Sequence, residues 1–411
     1  MVKRLAQFVI EHSLLLVMGA VAAFVWANID VHSYHDFVHT VIWQNPFVGF
    51  VKDGVRVVDV HFLVNDVLMA VFFMVAGREV FEAVLPAGSL HGWRKASMPV
   101  VCALGGMVAP AGLFLLGCAI FGRWADLNNG WAIPTATDIA FSYMVARFIF
   151  GSAHPAVVFL LLLAIMDDAL GMLVLAVFYP QEALAPGYLL LVPLAWAVGI
   201  AFWFFRIRHF GWYILVPGLI SWFAFQWAGL HPALGLLPIV PLIPHVFINS
   251  LRKSWEFVTP EDSHRFERVL EVPVEFILGV FGLMNAGVAL SNLGGDLVPM
   301  FLIVTALVVG KPIGIVLTAI IGVKLARLHL APQIKLKDLL AVGLAAGIGF
   351  TVALFVTTVA FEPGPVQDAC KAGALVSIVA APLAVLAAKV LRVRKIEDHE
   401  APHPWEEATD A

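Results

Sequence analysis

Asp167 and Asp168 stand side by side in a stretch, Pro155 to Tyr179, that carries no other charge. A run of about 20 apolar residues can cross a bilayer as a helix. A charged side chain at the centre of such a helix costs roughly 2.5–3.5 kcal/mol on insertion scales, and such groups serve ion or proton pathways. Two close carboxylates resist joint ionisation, so one holds a proton unless a cation is present. Cation and proton then compete for the same oxygens, which is the minimal machinery of an exchanger. Successive helical residues lie about 100° apart, so the pair can border one cavity without sharing one face.

Asp66, Asp138 and Lys311 complete the set of deeply placed charges. Lys311 lies mid-helix in Gly310-Lys311-Pro312, where an ammonium must pair with an acid or lose its proton. One of the deep aspartates is its natural partner, and Pro312 frees a carbonyl beside it. Pro134, Thr135, Thr137 and Asp138 share another apolar run, a composition that favours a break with backbone groups facing a cavity. Thr137-x-x-x-Phe141 is echoed by Thr351-x-x-x-Phe355, which follows the glycine-rich Gly343, Gly347 and Gly349. Paired interrupted helices in two halves point to inverted repeats around a midplane site. A second polar cluster holds Arg78, Glu79 and Glu82, together with His264, Arg265, Glu267, Arg268 and Glu271. It reads either as a solvated helix end or as a funnel that attracts cations and responds to pH.

These residues need helices in a membrane to place them. Of 411 residues, 61% are hydrophobic and 13% charged, and mean hydropathy is +0.91. A soluble domain is nearer 45–50% apolar and 25% charged. The expected fold class is an all-α polytopic membrane protein, one transporter domain over 1–395 with a disordered cytoplasmic tail at 396–411. Twelve spans are expected near 9–28, 62–84, 97–122, 131–150, 155–179, 187–205, 211–229, 232–248, 271–291, 297–322, 338–361 and 370–391. The first run reads as a span rather than a cleaved signal. With the N-terminus inside, 19 of the 25 Lys and Arg fall in cytoplasmic segments and four in external ones. That asymmetry places both termini in the cytoplasm. Asp53-Gly54 between β-branched runs predicts an external β-hairpin at about 48–60. The three cysteines fit neither a disulfide framework nor a zinc site.

The chain resembles the bacterial NhaA-type sodium/proton antiporters from Tyr34 to about Phe361. The resemblance is carried by Val64-Asn65-Asp66 through Phe73, Gly130-Trp131-Ala132-Ile133-Pro134, Thr137-Asp138-Ile139-Ala140-Phe141 and Asp167-Asp168. Asn285-Ala286-Gly287-Val288, Gly310-Lys311-Pro312 and Gly347-Ile348-Gly349-Phe350-Thr351 add to it. It implies twelve helices, with spans 3–5 and 10–12 as inverted repeats and spans 4 and 11 broken and crossing. It implies Asp168 as main sodium ligand, Asp167 as proton carrier and partner of Lys311, and Thr137 lining the site. Asp138 and Lys311 would offset the broken helix ends. Electrogenic, pH-regulated exchange of cytoplasmic Na+ or Li+ for external H+ follows, without cofactor, catalytic residue or nucleic acid. The protein would be a homodimer through the hairpin, in the lipid of the bacterial inner membrane.

At the funnel the pattern departs from the family. Glu79 and Glu267 match acidic sensor positions, but Arg268 and Glu271 stand where histidines are common, and His264 where a lysine is. Glu82 is one residue out of register. A sodium-coupled solute symporter on a similar crossed-helix scaffold is the main alternative, which the Asp167-Asp168-Lys311 set argues against. An intramembrane aspartyl protease would need a Gly-x-Gly-Asp element that Leu293-Gly294-Gly295-Asp296 does not supply.

Overall fold

The computed structural model describes residues 13–52, 54–85, 93–244, 260–293, 295–330 and 333–396. The chain begins with helices α1 (Leu14–Ile29) and α2 (Val31–Val38), then strands β1 (Val41–Asn45), β2 (Phe50–Lys52) and β3 (Val55–Asp59). Helices α3 (Val60–Val84), α4 (Trp93–Ile120), α5 (Ile139–Phe150), α6 (Pro155–Phe178), α7 (Leu191–Phe204), α8 (210–228) and α9 (Pro260–Asn285) follow. The last are α10 (Val298–Lys324), α11 (Leu336–Ala346), α12 (Phe350–Ala360) and α13 (Pro365–Val390). Among the described residues six helices are long and apolar enough to span a membrane, or seven if α11 and α12, bent by 52° at their junction, count as one.

Two compact units divide the chain. One comprises residues 1–88 and 172–292, the other 89–171 and 293–411, and α6 passes through their boundary. In the first unit α1 and α9 pack at backbone distance. A Cβ on Gly19 would lie 2.0 Å from the Gly279 carbonyl oxygen, and one on Gly282 2.7 Å from that of Leu16. Small residues allow such approach, which is how apolar helices associate where lipid removes the hydrophobic drive. α9 stops at Asn285, short of the expected 291, because Tyr34 Oη lies 2.9 Å from the carbonyl oxygens of Leu283 and Met284. Gly287 then passes so close to that ring that a Cβ would meet it at 2.1 Å.

The segment at 41–59 holds three strands rather than two, in the order β1-β3-β2. β2 and β3 pair antiparallel, Phe50 with Val57 and Lys52 with Val55, and Val41 pairs with Asp59 across β1 and β3. Asp53, half of the turn signal, lies outside the described residues. Asp59 starts α3 by accepting from the Phe62 N–H (2.7 Å) and accepts from His39 at 3.1 Å. Burial alone would raise its carboxyl, but the His39 hydrogen bond, the Phe62 N–H and nearby His61 hold it below the usual carboxylate range.

Within its described residues the expected eighth helix, 232–248, is not an α-helix. Pro232–Leu234 and Leu237–Leu242 are tight 3₁₀ turns, because Pro238 and Pro241 remove N–H donors that an α-helix needs. The expected fourth span divides likewise, into a 3₁₀ stretch, Asn128–Thr135, and α5. The expected tail at 396–411 lies outside the described residues beyond Ile396.

The close crossing of α1 and α9 leaves no room for a methyl group, whereas Gly112 on α4 has open space around its Cβ position. Gly19→Ala should therefore lower stability by about 1–3 kcal/mol, and Gly112→Ala should not. Thermal denaturation of both purified variants in detergent checks the contrast.

Candidate ion site at the helix breaks

The second unit's two interruptions are joined backbone to backbone by a hydrogen bond from the Asp138 N–H to the Ile348 carbonyl (2.7 Å). Each break leaves backbone N–H and C=O groups without helical partners, which is tolerated at membrane depth only where protein supplies them. Asp138 supplies two helices at once. Its Oδ1 accepts from the Phe141 N–H of α5 (3.2 Å), and its Oδ2 accepts from the Thr351 N–H of α12 (3.2 Å) and from Thr351 Oγ1 (2.6 Å). A carboxylate there also offsets the positive end of each helix dipole.

Lys311 serves the opposite polarity. Its ammonium donates to the Thr135 carbonyl (2.6 Å), at the end of the 3₁₀ stretch, and pairs with Asp167 Oδ2 at 2.9 Å. Both partners of that ion pair have fully buried side chains. The approach needs small neighbours. A Cβ on Gly310 would lie 2.8 Å from the Pro110 Cα, and one on Gly314 2.1 Å from the Gly105 carbonyl oxygen. Thr137 Oγ1 donates to Asp167 Oδ2 (2.7 Å) and lies 3.1 Å from the Ala346 carbonyl, at the end of α11.

Asp167 Oδ2 thus has two donors, while its Oδ1 is buried with no hydrogen bond partner among the described residues. Asp167 is 0% exposed and Asp168, one residue on, is 9% exposed. The structure therefore brings Asp138, Thr137, Asp167 and Lys311 into one network, with Asp168, also buried, next along the helix and within electrostatic reach of Lys311. Thr351 is a member that the sequence reading placed in a repeated motif but not among the site residues. Its signal was available, since a hydroxyl just after Gly347-Ile348-Gly349 is placed to meet a carboxylate at the facing break.

The remaining predicted residues belong to the first unit. Asp66 lies in a π-helical turn of α3, Leu63–Leu68, 3.3 Å from His231 Nδ1, and its carbonyl accepts from Trp222 Nε1. A cavity of about 470 Å3 is lined by Arg78, Glu79, Glu82, Glu271 and Glu275, with Phe266 among its apolar walls. Arg78 is 2% exposed, donates to Glu82 at 2.7 Å and stacks 4.1 Å over Phe266. Glu275 was missed, although it falls one turn after Glu271. Glu267 and His264 sit in the first turns of α9, and their side chains lie outside the described residues.

Comparison with known proteins bears on this arrangement. The chain matches the family described as Na+/H+ antiporter 1 over residues 4–391. A Na(+)/H(+) antiporter NhaA of Jannaschia sp. (strain CCS1) is 47% identical over 425 residues, spanning 96% of this chain and 99% of that protein. One from Geotalea uraniireducens (strain Rf4) is 40% identical over 390 residues, spanning 94% and 96%. Among solved structures, the sodium proton antiporter MjNhaP1 from Methanocaldococcus jannaschii at pH 8 superposes with a TM-score of 0.57 over 93% of this chain and 92% of that one. At 15% identity that likeness concerns the fold.

Removing one member of a buried ion pair strands the other, at a cost of about 3–5 kcal/mol. Lys311→Ala should lower the melting temperature clearly, and the double variant Lys311→Ala/Asp167→Asn should recover part of the loss. A Lys311→Ala protein that melts like the parent would show that the pair carries no stability.

Proposed function

The chain belongs to the Na+/H+ antiporter 1 family, is a multi-pass membrane protein and exchanges Na+ for H+, and we propose that this exchange runs through Asp167 and Asp168. The supporting observation is the difference between the two neighbours. Asp167 is sealed and tied to Lys311 and Thr137, whereas Asp168 keeps some exposure. Asp168 is the anionic ligand that an arriving cation reaches first. Hard carboxylate oxygens suit a small hard cation. Asp167 Oδ1, without a donor of its own, can complete the coordination.

Sodium arriving between the carboxylates weakens the hold of Asp167 on Lys311, because one anion then faces two cations. On the opposite side of the membrane the site loses sodium and takes up protons. Two carboxylates and one ammonium can between them carry more protons than one sodium ion balances, which makes the exchange electrogenic. Li+, a smaller cation of the same charge, competes for the same ligands. Alternating access follows if the half-helices meeting at Asp138 move while their polar ends stay satisfied. Asp138 and Lys311 make that possible, Asp138 by accepting from the backbone of both α5 and α12, and Lys311 by holding the Thr135 carbonyl and the Asp167 carboxylate together.

The same reading includes twelve spans in a single transporter domain, inverted repeats, cytoplasmic termini and an inner-membrane location. Support comes from the 52° bend between α11 and α12, the parallel interruption before α5 and the charge asymmetry of the loops. It also includes a homodimer joined through the sheet. Residues Val41, Ile42, Trp43, Phe50 and Val51 are exposed there, and β1 and β2 are its edge strands, open to pairing with another chain.

Asp168→Asn should abolish Na+-dependent proton movement in proteoliposomes while leaving the protein folded and dimeric, because an amide offers the cation only a neutral oxygen. Near-normal exchange by that variant would remove Asp168 from the site.

The acidic cavity beside Arg78 is the cation-attracting funnel in this reading, its carboxylates raising the local concentration of cations. Glu267→Gln should shift the half-activation pH upward while leaving the maximal rate largely intact, and His264→Ala, which removes a basic rather than an acidic group, should shift it the other way. Exchange measured from pH 6 to 9 decides this: curves superimposable on the parent would place all pH control at the aspartate pair.

A further inference from the structure

Beyond the last helical residue, Leu391–Ile396 stay against the protein. Arg392 takes a left-handed backbone conformation, φ +51°, and the Val393 N–H returns to the Ala388 carbonyl (2.9 Å), closing α13. The following residues then run to the end of α5. The Ile396 N–H donates to the Phe150 carbonyl (2.8 Å), at the last residue of that helix. Gly151, with φ +81°, passes under the Ile396 carbonyl so closely that a Cβ would lie 2.1 Å from its oxygen. Only glycine combines that backbone angle with that clearance.

The same segment is held from another side. Lys337, in the first turn of α11, donates from Nζ to the carbonyls of Leu391 (2.9 Å) and Arg392 (2.7 Å). An ammonium at a helix C-terminus satisfies carbonyls that have no partner within the helix. Residues Leu391–Ile396 therefore join the outer ends of α5 and α11. The inner ends of these two half-helices carry the ion-site network, α5 beginning at Asp138 and α11 ending at the Ala346 carbonyl beside Thr137.

We propose that Leu391–Ile396 is a latch that makes α5 and α11 one moving piece, with Lys337 and Gly151 as its positioning residues. It rests on the reading that Asp138, Thr137 and Asp167 belong to the ion site. With the latch in place, a displacement at the outer ends reaches the Asp138 and Thr137 contacts without shearing one half-helix past the other. Without it, α5 and α11 are held only by their packing on each other and on α13, so their outer ends shift against one another, the Thr137 bridge between Asp167 and Ala346 loosens, and sodium binding and its coupling to protons suffer together. Neither positioning residue touches the ion, so their effect is on affinity and coupling rather than on the chemistry of the ligands.

Two truncations separate the latch from the tail. A chain ending at Asp398 keeps the Ile396 contact, whereas one ending at Val393 loses it but keeps both acceptors of Lys337. Reconstituted in proteoliposomes, the longer form should match the full chain. The shorter one should show a severalfold higher apparent KM for Na+ and fewer protons moved per sodium, at a similar maximal rate. Lys337→Met should give the same split and Lys337→Arg should restore it, which decides the matter if the shorter chain fails to fold. Unchanged KM and stoichiometry in both the Val393 form and Lys337→Met would overturn the latch. Asp168→Asn, measured in parallel, tests the ion-site reading separately: if it remains active, the site is elsewhere, whatever the truncations do.

Discussion

A broken helix inside a membrane must find partners for its exposed backbone groups within the protein. Water is absent, and each unsatisfied group costs several kcal/mol. Here two breaks are placed against each other, and two side chains of opposite charge divide the work. Asp138 takes N–H groups at the start of α5 and α12, and Lys311 takes the Thr135 carbonyl. Because Lys311 is also paired with Asp167, the group that stabilises a helix end is the same group that answers to the charge of the ion site. Structure and transport are coupled through one ammonium. The glycines at 105, 310 and 314 matter for the same reason, since they let backbones close around Lys311 and shut water out.

Much of this was legible because charge in an apolar run has few explanations. Asp138, Asp167, Asp168 and Lys311 could be singled out by type and surroundings alone, and the helical class followed from composition. The breaks were partly legible. Proline and threonine marked the first and glycines the second, but nothing in either local pattern says that the two touch. That contact joins Asp138 to Ile348 and Thr351, more than 200 residues on, and sequence periodicity carries no information at that range. The third strand was missed for a related reason. Val41–Asn45 has no turn signal tying it to β3, and its pairing is fixed by Asp59 and His39 at the base of the sheet.

The proline-rich run before residue 245 shows where hydropathy misleads. Apolar content suggested a helix, but tight turns satisfy the backbone differently and bring Ile239, Val240 and Leu242 into one core with Met74, Tyr213 and Trp222. Hydropathy reports which residues avoid water. It does not report how the backbone between them is bonded.

α10 contains one more irregularity, the π-helical turn Ala306–Gly310 immediately before Lys311. Such a turn holds one residue more than an α-helical turn, so it behaves as an inserted residue retained within the helix. Everything after it is rotated by about 100° relative to an uninterrupted α-helix. Ile303, before the turn, packs against Gly373 of α13, whereas Pro312 and Gly314, after it, pack against Gly343 of α11 and Gly105 of α4. The extra residue lets one helix keep faith with two sets of neighbours whose spacings do not match. It also makes the aim of Lys311 a matter of residue count: delete one residue between 306 and 310, with every side chain chemistry otherwise kept, and the ammonium faces away from Asp167.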